Sequence, residues 1–191
     1  MTTLGTDAQV ITSKNTSINS SKLPTVYNKI DWDALMIEWR VQNGGENPIG
    51  IILDYGCGRY TQHIQDFVNS KGFYYIGYDP YWNNIDFNTE IEQISKINGG
   101  GIAAVICSNV LNVIPWWIGV KRVSSLVHYL GYLAHNRYFI TVYEGNKSGI
   151  GQEIKKDCWQ WNKTIDHYLF TSQDDIKKGV ITNINTKNLL K

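Results

Sequence analysis

An apolar run over residues 49–53 leads straight into Asp54-Tyr55-Gly56-Cys57-Gly58, and a second acid, Asp79, stands 25 residues after Asp54. Few folds accommodate that order. The run has the length and uniform hydrophobicity of a strand covered on both faces. Gly56 and Gly58 allow a turn with φ > 0 and a close approach by a ligand. Residues 61–70 have helix length, and the N–H groups of their first turn would face whatever lies against the glycine turn. Residues 73–78 read as a second strand, ended by Asp79. A carboxylate there can accept two hydrogen bonds from a ribose diol. The segment therefore predicts a strand–turn–helix–strand unit with a nucleoside site at the carboxyl ends of its strands.

A dinucleotide fingerprint needs a third glycine to pack helix on strand. Here Arg59, Tyr60 and Thr61 follow Gly58, and that glycine is missing. Asp54, directly ahead of the turn, attracts a free ammonium and repels a pyrophosphate. The D-Y-G-C-G pattern resembles motif I of class I S-adenosylmethionine-dependent methyltransferases. The resemblance implies S-adenosyl-L-methionine as cofactor, with Asp54, Gly56 and Gly58 near its methionine part and Asp79 on its ribose.

The middle of the chain alternates in the manner of a doubly wound sheet. Strands are expected near 49–54, 73–78, 102–107 and 137–143, and helices near 27–42, 61–70, 88–97 and 119–135. Asp31 would cap the first helix, whose Trp32, Leu35, Met36 and Trp39 share one face. Only 22 residues separate Asp79 from Ile102. That is tight for a helix–strand–helix passage, so one strand of the usual seven is expected to be short or absent. Beyond residue 143 the pattern weakens. A helix over 159–170 and a closing strand over 179–184 are expected. The fold class that follows is α/β: a single Rossmann-like, doubly wound, mostly parallel sheet over residues 25–191, preceded by a flexible polar arm over 1–24.

A third motif runs from Ala104 to Pro115. The strand ends near Ile106, placing Ser108 and Asn109 where open α/β sheets bind ligands; in a methyltransferase that position borders the reacting methyl group. Amino-directed DNA methyltransferases carry an acid or Asn, two prolines and an aromatic there, and this chain has Ser-Asn-Val-Leu instead. Cys107 lacks a preceding proline and reads as a small buried strand residue rather than a nucleophile. Four elements occur in order: Leu53–Gly58, Tyr78-Asp79-Pro80-Tyr81, Asn109–Ile114 and Lys155-Lys156-Asp157-Cys158-Trp159-Gln160. Together they resemble the methyltransferase-like proteins found with DNA phosphorothioation systems and small phage-encoded relatives. The resemblance spans roughly residues 22–185. It bears on cofactor and fold more than on substrate.

Composition limits the partners. Net charge is +1, which excludes nucleic-acid binding driven by bulk charge but leaves room for a local patch. From Gly145 to Lys191 there are 8 lysines against 5 acids. The long polar connection over 144–163 is the expected substrate contact. Its Lys155, Lys156, Trp159, Gln160 and Trp161 combine cations for phosphates with indoles for stacking on DNA or RNA bases. Tyr81 and Trp82 are placed either to cover an adenine or to start the next packed element. Three widely spaced cysteines, Cys57, Cys107 and Cys158, form no disulfide framework and suggest a reducing, cytoplasmic setting. His63, His128, His135 and His167 lack zinc spacing, and no metal is expected. No run is long enough to cross a bilayer, so no membrane partner is expected. The polar arm over 1–24 is a candidate protein contact.

No catalytic residue stands out. A base is needed only if the acceptor must lose a proton before attack, and Asn112, Glu144, Asp157 and Gln160 are equal candidates. Four alternatives stay open: a non-catalytic S-adenosylmethionine-binding module, a small-molecule methyltransferase, a nicotinamide oxidoreductase and an interaction protein on this fold.

Overall fold

The computed structural model describes residues 22–45, 48–98, 100–114, 117–144, 151–155 and 158–191. Two helices come first, α1 (Thr25–Lys29) and α2 (Trp32–Gln42). Then follow β1 (Gly50–Tyr55), α3 (Gln62–Ser70), β2 (Tyr74–Tyr78), α4 (Phe87–Asn98), β3 (Gly101–Ser108), α5 (Trp117–Leu133) and β4 (Tyr138–Thr141). The chain ends with two hairpins, β5 (Gly151–Lys155) with β6 (Cys158–Trp161), and β7 (Asp174–Lys177) with β8 (Val180–Asn183). Among the described residues the main sheet has six strands in the order β2-β1-β3-β4-β8-β7. Its first four strands are parallel; β8 runs antiparallel to them, and β7, antiparallel to β8, runs in their direction again. The architecture is α/β with a mixed, mostly parallel sheet.

Burial follows the period-2 rule on two covered faces. Ile52, Ala104, Ile106 and Phe139 face Val26, Trp32, Leu35, Trp39, Ile64 and Val68 from the first three helices. Ile51, Leu53, Val105, Cys107 and Ile140 face Val120, Val127 and Leu130 of α5 on the other side. Cys107 is fully buried, as a small strand residue should be. Among the described residues no helix is long and apolar enough to cross a membrane.

Two sequence expectations need correction. The single helix over 27–42 is two: Ile30 bridges Leu190, and Asp31 restarts the helix by accepting a hydrogen bond from Ala34 N–H at 3.2 Å. The expected helix over 159–170 is a strand through Trp161 followed by a 3-10 turn at Ile165–Tyr168. Alternating tryptophans favour an extended ribbon once β5 supplies a partner. Residues 1–21 of the polar arm, together with Lys156 and Asp157, lie outside the described residues.

The terminal hairpin is locked to α5 by a buried charge cluster. Asp174 Oδ1 faces His128 Nε2 at 2.9 Å and also accepts the Tyr138 hydroxyl. Its Oδ2 accepts Phe170 N–H at 2.8 Å and Thr171 N–H at 2.9 Å. His128 Nδ1 lies 2.8 Å from the Ser124 carbonyl. Both ring nitrogens thus face acceptors, the arrangement that suits an imidazolium. Burial alone would push the Asp174 carboxyl up, yet the hydrogen bonds from His128, Tyr138 and the two amides hold it well below the ordinary range. Burial opposes the charge on His128, and the bonds to Asp174 and Ser124 outweigh it and raise its pKa.

Candidate functional site

The strand order turns back between β1 and β3: β2 lies on one side of β1 and β3 on the other. Such a switch point opens a crevice at the carboxyl ends of the strands. The glycine turn leaves β1 there, and residues 109–114 leave β3 beside it. Gly56 and Gly58 have φ of +84° and +73°, the left-handed values that their sequence positions predict. They differ in surroundings. A side chain at Gly56 would run into Val110, so the loops after β1 and β3 touch at this point. Gly58 has nothing within 4 Å and borders open space.

Asp79 closes the turn from the side of β2. Its Oδ2 accepts Gly58 N–H at 3.1 Å, and its Oδ1 accepts Tyr81 N–H at 2.9 Å and Trp82 N–H at 3.1 Å. Gly56 N–H and Cys57 N–H both go to the Tyr78 carbonyl. The amides of the turn are therefore used internally, and its open side is the Gly58 side. An ionised carboxylate offers about four acceptor directions, and Asp79 uses three of them on these amides.

Asp54 is placed differently from a ligand-facing acid. It is 3% exposed, and its Oδ2 accepts Tyr27 O–H at 2.8 Å and Tyr75 O–H at 3.1 Å. Burial raises its pKa to about 6, against the two tyrosine hydrogen bonds that lower it. Gly77 makes room for this contact: a Cβ there would lie 2.8 Å from the Tyr75 hydroxyl. Neither tyrosine was a sequence candidate. Tyr27 comes from α1, and no spacing in the chain links it to Asp54.

At the end of β3, Ser108 Oγ pairs with Thr141 Oγ1 at 2.9 Å. Asn109 turns the chain with φ of +58°, and its N–H goes to the Thr141 carbonyl. Asn is one of the few non-glycine residues that adopts this conformation readily. The following 3-10 turn, Leu111–Val113, buries Asn112 to 2% exposure. Asn112 Oδ1 accepts no hydrogen bond among the described residues. The hairpin strand β6, with Trp159, Gln160 and Trp161, packs its backbone against this turn. The structure thus brings the third motif and the tryptophan segment together, and Lys155 stands in β5, paired with Cys158 of β6. Glu144, another candidate base, instead accepts Ile165 N–H at 3.1 Å.

An aromatic rim flanks the glycine turn. The Arg59 guanidinium lies 5.2 Å from the Tyr60 ring centre and 5.4 Å from that of Trp82, and Tyr60, Tyr81 and Trp82 are each more than 40% exposed. Among the described residues no three His, Cys, Asp or Glu side chains gather as metal ligands. A separate cleft of about 320 Å³, lined by His128, Asn136, Tyr138 and Asn183 among others, opens near the amino end of β4, away from this crevice.

An adenosine-bearing cofactor fits this crevice in its ribose and base parts. Asp79 keeps acceptor capacity, Gly58 is open, and exposed rings stand beside both. The buried Asp54 carboxylate suits a cofactor ammonium only through intervening water. No protein-family model matches this chain, and no curated protein or solved structure matches it either.

Proposed function

We propose that the chain is an S-adenosylmethionine-dependent methyltransferase acting on a nucleic acid. The observation that carries the reading is the hydrogen bond from Gly58 N–H to Asp79. It joins the turn after β1 to the acid after β2, across the ends of adjacent parallel strands. The sheet order supports the same reading. Four parallel strands continued by an antiparallel hairpin is what a class I methyltransferase sheet becomes when one edge strand is lost, as the short Asp79–Ile102 spacing predicts. In this reading Asp79 holds the ribose, the Gly58 side of the turn admits the methionine part, and Asp54 acts on the ammonium through water. Ser108 and Asn109 border the methyl group. The bound cofactor supplies an activated methyl; the protein's task is orientation for in-line displacement.

The nucleic-acid acceptor is supported by the Arg59, Tyr60, Tyr81 and Trp82 rim, since exposed rings beside a guanidinium suit base stacking, and by the lysines and tryptophans of the β5–β6 hairpin. Replacing both Lys155 and Lys156 with Ala is expected to flatten the salt dependence of oligonucleotide binding while leaving cofactor affinity unchanged. A labelled-methyl assay on DNA, RNA and small metabolites in parallel tests the acceptor. Label only in small metabolites would leave a small-molecule methyltransferase.

Titration calorimetry with S-adenosylmethionine tests the cofactor. Asp79→Ala is expected to weaken binding by about 1–3 kcal/mol. Because Asp79 also accepts three backbone amides, the same change should cost measurable folding stability. Unchanged affinity would remove Asp79 from the site. A binding-only relative is the second reading, favoured by the burial of Asp54. Cofactor binding without transfer to any acceptor would establish it.

A further inference from the structure

We propose that the chain forms a twofold dimer by pairing the free edge of β7 with the same strand of a second copy. In the sheet order β7 stands last, and among the described residues only β8 pairs with it. The hydrogen bonds of the hairpin fix which groups face outward. Lys178 and Gly179 have φ of +55° and +74°, the signature of a two-residue turn closing on Lys177 and Val180. That closing pair is a hydrogen-bonded one, so alternate residues of β7 turn their backbone toward β8. Gln173 follows the same alternation, since its carbonyl accepts Ile184 N–H at 2.8 Å. Asp174 N–H turns the other way, to the Thr171 carbonyl at 3.2 Å. Ile176 alternates with Asp174, so its N–H and C=O point away from β8 along the free edge.

An unpaired edge is a template for another strand, and proteins commonly block one with lysines. The charges on β7 are arranged otherwise. The run Asp174-Asp175-Ile176-Lys177-Lys178 carries acids on one side of Ile176 and bases on the other. An antiparallel copy centred on Ile176 exchanges N–H···O=C bonds between the two Ile176 backbones. The twofold axis then sets Asp175 of each copy directly opposite Lys177 of the other. Asp174 is committed to His128 on the α5 side, so Asp175 and Lys177 carry the match on the opposite face. Asp175 also meets Lys187 of its own chain at 3.5 Å, and its side chain stays 32% exposed, open to a second cation. A parallel copy in register would set like charges together. Tyr132, one turn beyond His128 on the same side of α5, is 69% exposed and adds apolar surface on the side that faces β7. The charge pattern is complementary to itself, so the occupant is a second copy of this chain, and the twofold closes the assembly at two.

The test is the mass of the full chain in solution, by sedimentation across a concentration series, with thermal melting as the control for folding. The unmodified chain is expected to pass from the mass of one chain to that of two, with no larger species. Asp175→Lys and Lys177→Asp each set like charges across the axis, and each should weaken association about 10-fold. Both side chains are partly exposed, so melting should shift little. Mixed in equal amounts, the two variants should recover a dimer holding one chain of each, because acids then face lysines again. The double variant carrying both changes should recover its own dimer for the same reason. A one-chain mass throughout the series, or a ladder of larger species, would overturn the proposal. So would association that ignores either reversal, or variants that recover neither in the mixture nor as the double variant.

Discussion

Asp174→Ala is expected to lower folding stability by about 3–5 kcal/mol, the usual cost of breaking a buried charge pair by removing one partner. The side chain of Asp174 is fully buried, and its loss strands His128, the Tyr138 hydroxyl and the amides of Phe170 and Thr171 together. Denaturant unfolding followed by circular dichroism measures it; a loss below 1 kcal/mol would mean that the terminal hairpin is held by its apolar contacts alone. The pH profile gives an independent check. His128 has a raised pKa in the folded chain, so its contribution is complete below its ordinary value near 6.5 and is lost as pH rises through the folded value. Asp174 has a lowered pKa, so its contribution is present above about 4 and is lost as pH falls toward the folded value. The pair contributes most between about pH 4 and 6.5. In Asp174→Ala, burial is left to act on His128 without its carboxylate, and the loss of stability above pH 6.5 that His128 causes should disappear.

Gly56→Val is expected to damage both fold and ligand binding. The built Cβ meets Val110 Cγ2 at 2.2 Å, and φ of +84° is hostile to a β-branched residue. Overpacking of this kind costs about 1–3 kcal/mol, and the left-handed backbone adds about 1–2 kcal/mol. Because Val110 belongs to the loop after β3, the clash should also push apart the two loops that border the crevice and abolish S-adenosylmethionine binding. Gly58→Ala separates the two effects. It meets open space and carries only the backbone cost, so any larger loss of affinity reflects the ligand. Normal binding by Gly56→Val would show that the turn does not border the ligand.

The site as read from sequence and as built by the fold agree unevenly. Gly56, Gly58 and Asp79 were legible because a turn with φ > 0 and a strand-end acid leave local marks. The partners of Asp54 were not. Its position before the glycines matches a ligand-facing acid, but the hydroxyls that bury it come from Tyr27 and Tyr75, far away in the chain. Gly56 likewise carries two demands, and only its conformational one is local. The contact with Val110 depends on β1 and β3 being neighbours.

The sequence by itself determined the strands near 49–54 and 102–107, the glycine turn and the helices near 61–70, 88–97 and 119–135. All of these rest on periodicity and backbone sterics within a few residues. Tertiary structure alone decided that residues 158–161 are a strand, because a short aromatic run takes its state from the partner that pairs with it. It also decided that Asp174 locks the terminal hairpin to His128, and that Asn112 is buried with no donor to its Oδ1 among the described residues. Those outcomes depend on which distant groups are brought within hydrogen-bond range, and the net worth of a buried polar group is set by that encounter rather than by its neighbours in sequence.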